Sequence, residues 1–449
     1  MRLILFLFCV LPLSMLAQKK SSAKKKTDVK LPADVEAVFD SVQRQTFRYF
    51  WEGAEPVSGL ARERVHMDGD YPEKDQSVVT IGGSGFGIMA ILSGIHRGYI
   101  TREEGFKRLK HIADYLEKAD RFHGAWPHWL HGETGKVKPF GYDDDGGDLV
   151  ESSFLITSLL CVRQYFADGN AAEKALAARM DKLWREVDFN WYRRGGQNVL
   201  YWHWSPKYEW KKNFAVRGYN ECLIMYVLAA SSPTHGVPAE VYHQGWADNG
   251  RIMHKREVMG HELQLLHQGP APNGGPLFWA HYSWLGLDPR ALKDKYADYW
   301  KENRNQSLIN YEWCVKNPKK CAGYGPNNWG LTASYSVKGY AAHEPSDRSD
   351  YCVISPTAAL SSMPYTPEQS QAAMMNWYRD MKDKVWGAYG FYDAFSQAEN
   401  WYPQRYLAID QGPIVVMMEN YRSGLLWDLF MSCAEIQAGL KKLGFTINR

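Results

Sequence analysis

The 449-residue chain contains neither a CxxC pair nor an HExxH, the spacings that most readily hold zinc. No metal and no cofactor is expected. Charge of one sign is not in excess either: Lys and Arg number 53, Asp and Glu 50, for a formal net charge of +3. The surplus sits in one run near the start, KKSSAKKKTDVKLP, so the rest is near neutral and no nucleic acid is expected as a partner. No apolar run approaches the roughly 20 residues that cross a bilayer. The longest candidate is the opening MRLILFLFCVLPLSMLAQKK. One basic residue, roughly a dozen apolar ones and then a polar stretch read as a secretory leader, residues 1–17, ending at Ala17. The lysine- and serine-rich residues 18–33 then read as a solvated tether. A periplasmic or secreted protein is expected, with no membrane attachment after cleavage. No internal repeat and no second low-complexity linker interrupt residues 34–449, which excludes a solenoid and favours one domain.

What is abundant is helical periodicity and aromatic side chains. VEAVFDSVQRQTFRYFWEGA, TREEGFKRLKHIADYLEKAD, DLVESSFLITSLLCVRQYFA, YNECLIMYVLAAS and PIVVMMENYRSGLLWDLFMS carry apolar residues at i, i+3, i+4 and i+7. Thr101 before Arg-Glu-Glu and Thr366-Pro367-Glu368 are good helix starts. Strand-like alternation is short and scattered. Paired helices joined by long Gly-, Trp- and Asn-rich loops predict an all-α (α/α)6 barrel, its loops forming a cleft on one face. The 18 Trp, 27 Tyr and 18 Phe are frequent even in loop-like stretches such as GAWPHWLHGETG and YWHWSPKYEW. Flat aromatic faces in a cleft suit the apolar face of a sugar ring. Of the seven cysteines, Cys161, Cys222 and Cys433 fall in apolar runs and read as buried thiols. Cys314 and Cys321, in CVKNPKKC, either close a small disulfide loop or stay reduced.

GYDDDGGDLVESSF, residues 141–154, concentrates acid ahead of an apolar helix. Asp148 and Glu151 fit a capping box. Asp143, Asp144 and Asp145 are not explained by that role. The alternative is that Gly146 and Gly147 turn the chain so that Asp144, Asp148 and Glu151 converge at a helix mouth. Crowded carboxyls there would separate in pKa, as acid–base glycoside hydrolysis requires. Residues i and i+3 lie side by side on a helix, whereas an acid and a water-activating base stand roughly 6.5–9.5 Å apart. The second partner must therefore come from elsewhere. Glu221, in RGYNECLIMYVLA, heads an apolar helix and is the first candidate. Asp393, Glu399 and Asp410 sit among aromatics and glycines, with helix capping before Pro413 the stronger reading for Asp410. Glu419 reads as a core carboxylate paired with Arg422. His203 and His343 read as loop hydrogen-bonders.

TIGGSGFGIMAILSGIHRGYITREEG, GYDDDGGDLVESSFLI, RGYNECLIMYVLA, NWGLTASYSVKGY and LAIDQGPIVVMMENYRSGL, in that order from about residue 35 to the C-terminus, resemble the bacterial glucoamylase-like family. They are most similar to its part classed as glycoside hydrolase family 144, the endo-β-1,2-glucanases and sophorose-releasing relatives. The resemblance implies an (α/α)6 barrel, no metal and hydrolysis of β-1,2-glucan with inversion. It also implies cleft acids at Asp144, Asp148, Glu151 and Glu221. Distant transglycosylating relatives carry a glutamate in a WGxxE-like segment; NWGLTAS has none, which disfavours retaining chemistry. Trp126, Trp129, Trp202, Trp204, Trp329, Trp401 and Tyr402 become candidate sugar platforms. Arg217 and Asn220 are candidates to bind hydroxyls or orient Glu221, and Asp393 and Glu399 complete the binding set. The expected partner is a β-glucan oligo- or polysaccharide, met by a monomer. A non-catalytic carbohydrate-binding protein, or a hydrolase of another glucan linkage, is the alternative.

Overall fold

The computed structural model describes residues 28–268 and 271–447. The expected leader, and the expected tether as far as residue 27, lie outside the described residues. The N–H of Val29 already donates to the carbonyl of Arg422 at 3.0 Å.

Thirteen α-helices run through the described residues: α1 Ala33–Trp51, α2 Ile81–Arg97, α3 Arg102–Leu116, α4 Leu149–Phe166, α5 Ala171–Arg185, α6 Leu223–Ser231, α7 Tyr299–Lys316, α8 Pro356–Ser361, α9 Pro367–Asp380, α10 Lys382–Val385, α11 Ala408–Arg422, α12 Leu425–Met431 and α13 Ala434–Lys442. They fall into two kinds. Every residue of α6 and α8 is buried, as are Ile81–Gly94 of α2 and most of α4 and α11. Helices apolar on all sides belong inside a protein. By contrast α1, α3, α5, α9 and α13 bury one stripe and expose the rest. The inner set pack on one another: α2 lies against both α4 and α11, α4 against α6, and α8 against α11. The amphipathic set back them, with α5 on α4, α13 on α6, α9 on α8 and α1 on α11. Thr101 forms the expected capping box with Glu104 at the start of α3.

Short antiparallel strand pairs lead into the inner helices. Val78–Thr80 pairs with Trp129–His131 and runs into α2. Gly147–Asp148 pairs with His203–Trp204 and runs into α4. Arg405–Leu407 pairs with Arg64–His66 and runs into α11. The entry ends of these helices are thereby gathered on one side, where a hairpin of Ala333–Ser336 and Gly339–Ala342 also stands.

Three expectations are corrected. The disulfide joins Cys321 to Cys352, with Cα atoms 5.2 Å apart, and Cys314 is a free buried thiol packed in a core cluster with Trp313 and Trp329. Its place on the inner face of α7 leaves it to packing. α11 begins at Ala408, with Pro413 inside it, so proline here removes an internal helical donor and does not mark the first turn. Glu419 is held by Arg97 through two 2.7 Å bonds, while Arg422 turns to Gln43 at 3.0 Å and to Glu36. α7 is a helix that the sequence does not predict: it carries no apolar periodicity, because on its buried face Glu302 binds the strand at Gln264 while Asn303, Gln306 and Asn310 bind neighbouring loops. Cys161, Cys222 and Cys433 are buried thiols as expected. No helix among the described residues is long and apolar enough to cross a membrane.

Candidate active site

The entry ends of α2, α4 and α11 and the residues just ahead of α6 surround a cavity of about 480 Å³. α4 supplies Val150, Glu151 and Phe154; Glu221 comes from ahead of α6; Leu407 and Ile409 come from the start of α11. Thr80 stands at the entry of α2, and Glu63, Arg64, His128, Trp129, Phe140, Trp202, Phe278, Tyr282, Ala333, Tyr335 and Tyr340 complete the wall. Few polar groups converge between aromatic faces, the usual make-up of a small-molecule site.

The acidic run divides its labour. Asp143 faces Lys211 and Lys212 on the surface, 3.8 and 3.4 Å away. Asp144 is buried, 3.4 Å from Lys212 and 3.3 Å from His203. Burial, then repulsion from Asp148, raises its pKa. His203 accepts the N–H of Gly146 at 3.1 Å, the hydrogen-bonding role expected of it. Asp148 is the N-cap of α4: Oδ1 accepts from the N–H groups of Val150 and Glu151 at 3.0 and 2.9 Å. Its Oδ2 accepts from His128 Nδ1 and Trp202 Nε1, both at 2.8 Å. With both oxygens occupied and no exposed surface, Asp148 is a positioning residue that does not line the cavity. Gly146 and Gly147 serve close approach and not a sharp turn: a Cβ on Gly147 would lie 2.1 Å from the Tyr192 hydroxyl.

Glu151 does not complete a capping box. Its Oε2 accepts the N–H of Gly82 at 2.7 Å, at the start of α2. That contact needs a glycine, since a Cβ on Gly82 would stand 2.3 Å from the same oxygen. Burial pushes the Glu151 carboxyl up to about 7, opposed by His128 and reinforced by Asp148. Glu221 is likewise pushed up to about 7 by burial, and its Oε2 has no hydrogen-bond partner. Burial works against charge on His128, yet Glu151, Asp148 and Asp144 outweigh it and lift the imidazole to about 9. The cavity thus holds an imidazolium beside Glu151 and two carboxyls from different elements. Such a pair can divide into one protonated acid and one ionised base near neutral pH.

The aromatic candidates separate by burial. Trp129 and Trp202 line the cavity. Trp126 and Trp329 are fully buried, their indole N–H groups bound to the carbonyls of Leu116 and Gln369, so neither is a platform. Trp204 packs edge-on against His123 and Trp191, away from the cavity. Trp401 and Tyr402 line a separate pocket. Arg217 does not orient Glu221; its guanidinium binds the carbonyls of Gln244 and Gly245. Asn220 caps the turn by accepting the N–H of Cys222 at 2.9 Å. Glu399 is exposed and lines neither pocket. Asp393 is buried behind the hairpin, where it accepts the N–H of Tyr335 at 2.8 Å. Asp410 caps nothing: it faces Asp393, and burial raises both carboxyls, Asp393 to about 6.

His128, Glu63, Tyr282 and the hairpin residues Tyr335 and Tyr340 also line the cavity, and no motif in the sequence marks them. His128 lies in GAWPHWLHGETG, where its spacing to Asp148 carries no periodic signal. Glu63 is raised by burial against its neighbour Arg64. Among the described residues, the one group of donors close enough for a metal is Cys321, Asp350 and Cys352, whose two sulfurs are bonded to each other.

Residues 213–434 match the family model "Glycoamylase: Putative glucoamylase". An endo-β-1,2-glucanase from Chitinophaga pinensis, solved with sophorotriose and glucose, is 69% identical, with a TM-score of 0.91 over 93% of this chain and 99% of that one. The exo β-1,2-glucooligosaccharide sophorohydrolase of Parabacteroides distasonis is 44% identical over 92% of this chain. This chain spans 58% of that relative's length. A β-1,2-glucanase structure from the same organism superposes with a TM-score of 0.86 at 44% identity, over 93% of this chain and 61% of that one.

Proposed function

The chain belongs to the bacterial glucoamylase-like family, and on that premise we propose that it is a glycoside hydrolase cleaving β-1,2-glucan with inversion. The observation that carries the reading is the pair Glu151 and Glu221: two carboxyls from different elements, both lifted to about 7, facing one aromatic-walled cavity. Their surroundings distinguish the roles. Glu151 receives the Gly82 N–H and stands beside the His128 cation, which favours its ionised form. It is the general base, taking a proton from the water that attacks the anomeric carbon. Glu221 has an oxygen without a partner, which favours its protonated form. It is the general acid, delivering a proton to the departing glycosidic oxygen. Trp129 and Trp202 present faces to the sugar, and Asp148 holds Trp202 and His128 in place.

In the same reading the inner helices close as the core of an (α/α)6 barrel, supported by the contacts that carry α4 through α2 and α11 to α8. The leader at residues 1–17 directs a monomer to the periplasm or outside the cell. The test is product analysis after incubating the mature protein and Glu221→Gln with linear β-1,2-glucan, beside starch, β-1,3-glucan and β-1,4-glucan. Short β-1,2-gluco-oligosaccharides from wild type alone are expected. Disaccharide as the sole product would mean release from a chain end. Binding without cleavage would overturn the hydrolase reading in favour of carbohydrate binding.

A further inference from the structure

Beyond the catalytic cavity a second pocket of about 490 Å³ opens, lined by Asp68, Tyr335, Ser336, Trp401, Tyr402 and Arg405 among others. Two elements connect the pair. On the strand entering α11, Leu407 lines the first cavity and Arg405 the second. Those residues are about 7 Å apart at the usual rise per residue, comparable to one sugar unit. The partner strand runs alongside, with Arg64 opposite Leu407 and His66 opposite Arg405. On the hairpin across from them, Ala333 lines the first cavity, Ser336 the second, and Tyr335 both. The Tyr335 hydroxyl and His66 Nε2, 2.9 Å apart, tie hairpin to strand pair at the waist between them.

The chemistry of the second pocket suits a neutral polyhydroxyl ligand. Trp401 is half-buried, and its backbone is fastened to Ser396 by two hydrogen bonds of 2.8 and 2.9 Å. Tyr402 lies parallel to Phe395, with ring centroids 6.1 Å apart. Arg405 donates to Asp68 at 2.9 Å and Asp70 at 3.1 Å. Two aspartates neutralise the one guanidinium, which disfavours an anion. The same planar groups offer donors and acceptors to adjacent hydroxyls, and the aromatic faces offer an apolar surface.

We infer that this second pocket is a distal glycan subsite, holding glucosyl units of the chain whose scissile bond lies between Glu151 and Glu221. The inference rests on the function proposed above. It is tested by measuring kcat/KM for wild type, Trp401→Ala and Trp401→Phe on linear β-1,2-gluco-oligosaccharides of increasing length. Wild-type kcat/KM should climb with length. In Trp401→Ala the ratio of the longest to the shortest substrate should fall about tenfold, through KM and not kcat, while Trp401→Phe keeps most of the ratio. An unchanged ratio, or the same loss at every length, would overturn the subsite while leaving the hydrolase intact. Cleavage by wild type of a different glucan would sink the linkage alone, and the ratio measured on that glucan would still decide the subsite. Cleavage of none removes the premise and the inference together.

Discussion

The N–H of Gly82 donates to Oε2 of Glu151 at 2.7 Å, joining the first turn of α2 to the carboxyl that faces the cavity from α4. A methyl group at Gly82 would sit 2.3 Å from that oxygen. Gly82→Ala must displace Glu151, and a shift near 1 Å at a reacting group costs on the order of 10²-fold in rate. The expected result is a loss of that size in kcat/KM with a cooperative melting transition retained. Activity near wild type would show that Glu151 is not the base.

Glu221→Gln keeps the shape of the side chain and removes its proton. A fall in kcat of about 10²–10⁴-fold is expected, with circular dichroism unchanged. The wild-type pH profile carries the same information. With both carboxyls near 7, kcat/KM should decline on the alkaline side as the acid loses its proton. An alkaline plateau extending well past neutrality would contradict the assignment.

Asp148→Asn retains a capping oxygen for α4 but removes the charge beside His128. The imidazole, lifted to about 9 in the wild type, should titrate lower, because one of the three carboxylates that outweigh its burial is gone. NMR titration of the His128 ring reads this directly. An unmoved titration would mean that Glu151 and Asp144 suffice.

The buried pair Asp393 and Asp410 predicts a pH dependence of stability. Burial raises both carboxyls, and the charge of Asp393 raises Asp410 further, so the pair favours holding a proton. Asp393 is raised from 3.8 to about 6, so the folded state holds a proton that the unfolded chain has released. Stability from this group is complete below the unfolded value and is lost as pH rises through about 6. Thermal melts should therefore show a steeper decline with pH across that window for wild type than for Asp410→Asn. Parallel curves would refute a shared proton.

Cys352→Ser opens the bridge to Cys321, which closes a loop of 31 residues. A loss of about 2–4 kcal/mol in unfolding free energy is expected. The bridge lines neither pocket, so kcat should hold. Urea denaturation of the two proteins measures the difference.

Glu151 and Glu221 were legible because each stands at the head of an apolar helix, where a carboxylate is conspicuous. The inner helices were legible for the same reason: α6 is apolar throughout, and no other place suits it. α7 was not, since it buries Glu302, Asn303 and Asn310 to fasten a strand and loops, a pattern with no apolar period. Trp126 and Trp329 have loop-like neighbours yet are sealed inside. Whether an indole packs or presents its face depends on what folds over it, which local sequence does not record. His128 gains its place from Asp148, brought to it by folding, and the partner of Cys321 lies 31 residues away.

Asp148 holds the first turn of a buried helix with one oxygen and a cavity-wall indole and imidazole with the other. Under mutation and selection, that makes position 148 a place where tolerance and innovation cannot be traded separately. Asn keeps an oxygen for the cap, but a side chain without one that loosens the wall to admit a new sugar also frays α4. Natural variation in substrate preference should therefore concentrate at residues whose side chains hold no helix end, such as Trp129 and Trp401, and spare this aspartate.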